Sequence, residues 1–315
     1  MAYTFSNGKF QYRIQKDAAT AAVLRRLRAF LDRNEPGLVY WLQNTWRTQG
    51  KAITYKELRE AILAGDISWD ILEDWMQDYT AFVRDYLQPA WIGAMTYAAE
   101  AVRRKYPEWY FDPYAEGVRE WTTNRAAQFV TEVSNTQIEG IRAVVQRAAT
   151  LEDMSVDHLA RAIRPMVGLT HPQSIANLKY YEKLIESGAS EKKALDLATR
   201  YAARQHRYRA YNIARTELAF SYNQGSYEAT RQAQEKGYMG DVVKIWCTAD
   251  DERVCDICRP LDGMTIAMGD DFPEINPRIS GPTIHKVPPA HPSCRCTVLY
   301  KEISPPISNP SMETT

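Results

Sequence analysis

Nowhere in the 315 residues does an apolar run approach the ~18 residues that a membrane-spanning helix needs, which excludes a helical membrane anchor. Charge of one sign is lacking too. Lys+Arg and Asp+Glu each total 39, a formal net charge of +0, so the chain as a whole is not built to coat nucleic acid, although local patches remain open. Neither H-E-x-x-H nor the deaminase pairing of H-x-E with P-C-x-x-C occurs, so the common signatures of a catalytic zinc are missing. There is no internal repeat and no secretory signal, and the expectation is a protein that folds in a reducing cytoplasm. Cysteine is scarce and unevenly placed: all five lie between Cys247 and Cys296.

Four of those five form two close pairs, Cys255-Asp-Ile-Cys258 and Cys294-Arg-Cys296, the second preceded by His291. Zinc takes about four soft or borderline donors in a tetrahedron, and two short-range pairs joined by a loop supply them at modest entropic cost. The spacing favours Cys255, Cys258, Cys294 and Cys296 as ligands, with His291 as competitor or as a partner hydrogen-bonding a thiolate. Two disulfides are the rival reading, plausible only in an oxidising compartment. A full thiolate set implies a closed structural site. The intervening segment agrees, because Pro260, Pro273, Pro277, Pro282, Pro288 and Pro289 with Gly263, Gly269 and Gly281 leave little room for long elements. Cys247, in the β-branched and aromatic run Val242–Thr248, reads as a buried thiol on a strand.

The remainder is helical in pattern. Residues 1–10 read as a loose arm. From Asp17 apolar residues recur at helical spacing until Asn34-Glu-Pro-Gly37, which predicts a break. Thr54 and Glu57 form a capping box that opens a helix ended by Gly65. Ser68 caps a helix running to Pro89, and another spans about 91–104, with Arg103, Arg104 and Lys105 as a solvated helix end. A long amphipathic helix extends from Asp112-Pro113 to about Ala149, weakest over Thr131–Thr136, where a kink is expected. Shorter helices follow Ser155 and Thr170, the latter closed by Gly188. Asp250–Arg253 read as a solvated turn, and the tail beyond Ser304 as disordered. Eight Trp and nineteen Tyr point to packing and interfaces.

If residues 191 to about 236 are helical, Arg200, Arg204, Arg207 and Arg215 share a stripe, with Tyr201, Tyr208 and Tyr211 nearby. Residues 200–236 hold seven Lys/Arg against three Asp/Glu. Such a stripe suits phosphates or an acidic protein surface, or is simply a solvated face. Within it, Ile213-Ala-Arg-Thr-Glu217 sets Glu217 on a small-residue face, where it needs a partner and would tie the helices to the metal module.

Ile213-Ala-Arg-Thr-Glu217, Asn223-Gln-Gly225, Gly237, Trp246, Asp251-x-Arg253-x-Cys255-x-x-Cys258, Leu261-Asp-Gly263 and Pro289-Ala-His-Pro-x-Cys294-Arg-Cys296 together resemble the tailed-phage head morphogenesis proteins, the minor head proteins similar to the F protein of phage Mu. Leu169-Thr-His-Pro-Gln and Asn177-Leu-Lys-Tyr180 extend the resemblance, which covers about residues 165–300. It implies a structural family motif at Arg215, Thr216 and Glu217, and a low-copy protein of the virion interior near the portal. Such a protein is assembled in the host cytoplasm and acts with the portal protein, packaged DNA and other head or scaffold proteins in head morphogenesis, genome packaging or ejection. Some relatives carry an enzyme or toxin domain after Cys-Arg-Cys; only residues 297–315 follow it here, so that activity is not expected.

The expectation is therefore a mainly α protein: a helical region over 1–110, a long-helix region over 111–240, a small zinc-stabilised, loop-rich α+β module over 241–302, and a tail over 303–315. Its role is structural, not enzymatic. The alternatives are a zinc-dependent nuclease, in which His285 or Glu274 would serve as base, and a DNA-binding zinc module.

Overall fold

The computed structural model describes residues 2–4, 10–13, 17–151, 153–249, 254–273 and 286–305. In order these form β1 (Ala2–Thr4), β2 (Phe10–Arg13), α1 (Ala18–Ala52), α2 (Tyr55–Ala64), α3 (Trp69–Phe82), a π turn (Val83–Leu87), α4 (Gln88–Lys105), α5 (Glu116–Ala149), α6 (Val156–Ile163), α7 (His171–Glu186), α8 (Glu191–Glu235), β3 (Val242–Cys247), β4 (Met264–Ala267) and β5 (Thr297–Glu302). The chain is mainly helical with a small antiparallel sheet, as its patterning implies. None of the described helices is long and apolar enough to cross a membrane. The expectations for Asp250–Arg253, for Glu274 and His285, and for the tail beyond Pro305 lie outside the described residues.

Local sequence rules account for most boundaries. Thr54 N donates to Glu57 and Glu57 N to Thr54 Oγ1, closing the capping box of α2, and Gly65 ends that helix in the left-handed region at φ 71°. Thr170 N donates to Gln173 Oε1 at the start of α7.

Several expectations are corrected. Residues 2–4 are a strand paired with Phe10–Arg13, not part of a loose arm. The break at 34–37 does not occur, since α1 runs through Pro36. A proline removes one hydrogen bond and strains the preceding turn, but Leu38, Val39, Leu42 and Trp46 are all buried at helical spacing beyond it, and that burial outweighs the local penalty. Likewise Pro89 does not end a helix. The π turn before it shifts the hydrogen-bond ladder, with Gln88 N reaching Val83 O, and the missing proline N–H falls at that irregular turn. The helix α5 is continuous over 131–136.

By compactness the chain divides into two units. Residues 1–35, 89–122 and 212–315 make the first. Its sheet has the order β1-β2-β4-β3-β5, every neighbouring pair antiparallel, with β3 registered on β5 from Val242↔Glu302 to Cys247↔Thr297. All six residues of β3 are buried. One cluster of its core joins Trp246, Leu261, Ile266, Phe272, Val287 and Val298, and another joins Ala99, Val102, Trp109, Ala229 and Ala233. Small residues allow α8 its close packing here. A Cβ on Gly225 would stand 2.2 Å from Met95 Cα.

Residues 36–88 and 123–211 make the second unit, wholly helical in its regular elements among the described residues. Leu58, Leu72, Trp75, Val144, Val145, Ile163, Leu178 and Tyr181 lie in its core, and Ala194, Ala198 and Ala202 bury the α8 face that packs against them. A polar chain is buried alongside: Trp46 Nε1 donates to Tyr79 OH (2.8 Å), Tyr79 OH to Gln137 Oε1, and Gln137 Nε2 to Gln49 Oε1 (3.1 Å). His206 ring-stacks on Trp46 and bonds Val167 O at 2.9 Å. Burial, against that hydrogen bond and with Arg209 and Arg47 adding, pushes its pKa down to about 4.

Gly225→Ala forces a methyl into the backbone of α4 and is expected to destabilise the protein by about 1–3 kcal/mol, read as a lower midpoint in urea. Because folded His206 resists protonation that the unfolded ring accepts, stability falls as pH drops from about 6.5 towards about 4. His206→Gln removes roughly 2 kcal/mol of that acid sensitivity, allowing for the ring's partial exposure, and melting curves between pH 4 and 7 measure the difference.

Candidate metal centre

Two loops of the first unit carry the donors. In the first, Cys258 N donates to Cys255 Sγ at 3.4 Å and Arg259 N to Cys255 O at 3.0 Å, a tight turn that sets both sulfurs on one side. The second loop turns at His291, whose carbonyl accepts from Cys294 N at 3.2 Å. Ser293, between them, has φ 59°, a left-handed conformation that a residue with a Cβ adopts only when its surroundings hold it there.

The hold comes from α8. Ser293 N donates to Thr216 Oγ1 (2.8 Å) and Ser293 Oγ bonds Asn212 Oδ1 (2.9 Å). Thr216 Oγ1 donates in turn to Asn212 O (2.7 Å). About two turns further along the helix, Asn223 Nδ2 donates to Cys296 O (3.2 Å) and Thr297 Oγ1 donates to Asn223 Oδ1 (2.8 Å). Asn212, Thr216 and Asn223 are separated by steps of four and seven residues, which keep them near one face of the helix. That face positions the second ligand loop from both of its ends.

The five sequence-selected donors meet. Cys255, Cys258 and His291 form one triad and Cys258, Cys294 and Cys296 another, with all donor atoms in each triad within 4.8 Å of one another. His291 Nε2 lies 3.0 Å from Cys255 Sγ and 3.3 Å from Cys258 Sγ. Cys258 and Cys294 sulfurs are 3.7 Å apart, far beyond the ~2.0 Å of a disulfide, and none of the five cysteines is disulfide-bonded. His291 Nδ1 faces Pro292 O at 2.9 Å. A proton on that nitrogen leaves the Nε2 lone pair turned to the sulfurs, the tautomer a metal requires.

Electrostatics fit a cation. Hydrogen bonds from Cys258 and Cys296, with help from His291, hold the Cys294 thiol well below the ordinary thiol range against its burial. The bonds Cys258 makes to Cys294 and Cys296, together with burial and the neighbouring negative charge, push its own thiol up. The hydrogen bond to Cys294 likewise lifts His291 to about 9. The cluster thus resists a second thiolate so long as protons alone neutralise it, and a divalent cation relieves that resistance. The group is able to hold a metal ion.

The other selected residues make contacts of their own. Arg200, Arg204 and Arg207 lie on α8, Arg200 paired with Asp196 at 3.0 Å and the other two lying over Tyr201 and Tyr211. Arg215 is half-buried and grips Glu35 with two bonds of 2.7 and 2.9 Å, so it serves packing of the first unit. Glu217 is buried, and its carbonyl accepts from Ser221 Oγ. Ties from α8 to the metal loops run through Thr216 of the Arg-Thr-Glu motif, through Asn223 and through Asn212, which the sequence reading passed over. A polar residue four positions before Thr216 on the same helix face is the signal that could have found it.

Against known families, residues 176–299 match the model described as phage Mu protein F like protein. That segment takes in all of α8, the sheet strands β3 and β4 and both ligand loops, and the match supports the resemblance to phage head morphogenesis proteins. No curated protein and no solved structure matches the chain.

Thr216→Val keeps the shape but removes the acceptor of Ser293 N–H. The expected loss is about 1–3 kcal/mol of stability and faster surrender of bound metal to a chelator, followed by absorbance of a metallochromic dye.

Proposed function

We propose that this chain is a structural minor head protein of a tailed phage, associating with the portal inside the procapsid and supporting head morphogenesis and genome packaging or ejection. The observation that carries the reading is the family match over residues 176–299. It is supported by the common physical role of residues within the family motif. Thr216, Asn223 and Gly225 set α8 against the metal loops and α4, which makes a rigid surface and not a reaction centre. Under this reading the protein sits in the virion interior near the portal, and Arg200, Arg204 and Arg207 meet packaged DNA or an acidic protein surface.

The metal is zinc, held by Cys255, Cys258, His291 and Cys294; His291 takes the place that spacing alone gave Cys296, whose sulfur also lies in a donor triad with Cys258 and Cys294. A tetrahedral zinc with these donors has edges of roughly 3.5–3.8 Å, and the observed separations of 3.0, 3.3 and 3.7 Å along the edges joining His291 and Cys294 to the first pair approach that figure. A bound zinc supplies charge neutralisation and a cross-link. Cys258 and Cys294 anchor the centre, His291 presents Nε2, and Asn223 fixes the strand entry beyond Cys296.

The test is co-expression with the portal protein of the same phage, then size-exclusion chromatography with a zinc assay on each fraction. Co-elution with about one zinc per chain is expected. A folded, zinc-loaded protein that elutes apart from the portal overturns the portal assignment. Cys258→Ser and His291→Ala are expected to lose the metal and lower the melting temperature, whereas Cys296→Ser retains it; the reverse pattern replaces His291 with Cys296 in the ligand set.

A further inference from the structure

The second unit contains a cavity of about 340 Å³ whose walls include Arg47, Lys51, Arg164, Trp46 and His206, with Thr199 and Ala203 of α8. Three lining side chains are cations and none is a carboxylate. Arg47 and Lys51 are exposed and form no ion pair among the described residues. Arg164 donates Nε to Gly50 O and Nη2 to Lys51 O, each at 2.7 Å, which fixes the guanidinium plane at the carboxyl end of α1 and leaves its other N–H groups for a ligand. A fourth cation stands behind the wall. Arg209 is 6% exposed, lies over the Trp46 ring at 5.1 Å and donates to Gly168 O, with no carboxylate partner among the described residues. Burying a guanidinium beside three other cations without an acid is unfavourable unless something else is gained. His206 stays neutral in the same wall, chiefly through burial, with Arg209 and Arg47 adding.

We infer that this cavity binds a phosphate group, carried by a nucleotide or by a single strand of nucleic acid. Its volume lies at the small end of the range for small-molecule sites, so it admits one phosphorylated unit and excludes a duplex. Guanidinium forks and an ammonium converging from different walls suit the several oxygens of a phosphate better than the two of a carboxylate. Trp46, Pro165 and Val167 supply apolar wall for a sugar or base. Arg204 and Arg207, adjacent in sequence to the lining Ala203 and His206, give further phosphates of a strand somewhere to go. The chemistry of this cavity is independent of the head-protein reading and stands or falls without it.

Isothermal titration calorimetry of the full chain with pyrophosphate tests it, wild type against the double variant Arg47→Ala/Lys51→Ala. Both side chains are exposed, so melting temperature and metal content are expected to stay unchanged, and both are measured on the same samples. Pyrophosphate is expected to bind the wild type and to bind the variant about tenfold more weakly or worse. Displacement by a 5′-phosphorylated thymidine decamer identifies a strand as the source of the phosphate; displacement by thymidine monophosphate alone identifies a nucleotide. Absence of binding at millimolar pyrophosphate, equal binding by the variant, or stronger competition from an oligoglutamate peptide overturns the assignment, the last in favour of an acidic protein partner.

Discussion

Negative charge among close sulfurs is the constraint on which the first unit turns. Cys258 sits in both donor triads, and any thiolate beside it raises the energy of the next, so protons alone leave the centre only partly ionised. The segments that carry the donors are short, turn-rich and poor in regular structure, and beyond the apolar cluster they share with Trp246 and Phe272 they lean on other supports. Two external supports substitute. One would be a cation bridging the loops, which the clustered donors are able to hold. The other is α8, which holds Ser293 in a left-handed conformation and fixes the backbone at Cys296. These supports act on the same loop, so loss of either weakens the geometry that the other needs.

The helix can do this because of what it does not carry. Ala210, Ala214, Ala219, Ala229 and Ala233 are essentially buried, and Gly225 brings the α8 backbone against α4 closer than any side chain would allow. Polar residues then become the specific element. Asn212, Thr216 and Asn223 aim hydrogen bonds at a loop that would otherwise present unsatisfied backbone groups. In β3, just beyond α8, Lys244 is likewise a buried polar group with a definite partner. It is fully buried between Tyr227 and Phe272, its Nζ donating to Lys286 O at 2.8 Å, and burial pushes its pKa down to about 8.

Much of this is legible in the sequence. Capping at Thr54 and Thr170, the glycine stops at Gly65 and Gly188, the long helices ending near 149 and 235, and the strand at Val242 follow from local chemistry, and local chemistry is what a sequence displays. The five metal-site donors are legible for the same reason, since closely spaced pairs of soft donors seldom arise by chance. Non-local facts are hidden. Pro36 and Pro89 read as stops because a sequence shows the penalty of a proline and not the burial beyond it. Nothing marks residues 2–4 and 10–13 as partners of one sheet, or stretches 1–35, 89–122 and 212–315 as one compact unit. Arg215 resembles its stripe neighbours, and only the distant Glu35 explains why its charge is engaged in packing where Arg204 and Arg207 lie over the tyrosines of their own helix.

Most buried charge in both units is paired. In the first, Arg215 has Glu35 and the buried Glu228 has Arg231 at 2.9 Å, with Lys244 held by a carbonyl instead. The second pairs its buried Glu182 with Arg147 at 2.9 Å. In the second, Arg209 is buried without an acid among the described residues and lies behind Trp46 in a wall already lined by Arg47, Lys51 and Arg164. Desolvation lowers its pKa, with only the Tyr79 phenol opposing, so the unit bears a standing electrostatic penalty that apolar replacement would remove. A fold retains such a penalty where a ligand of opposite charge offsets it on binding, and the field that makes the cavity unfavourable when empty is the one that would draw an anion into it.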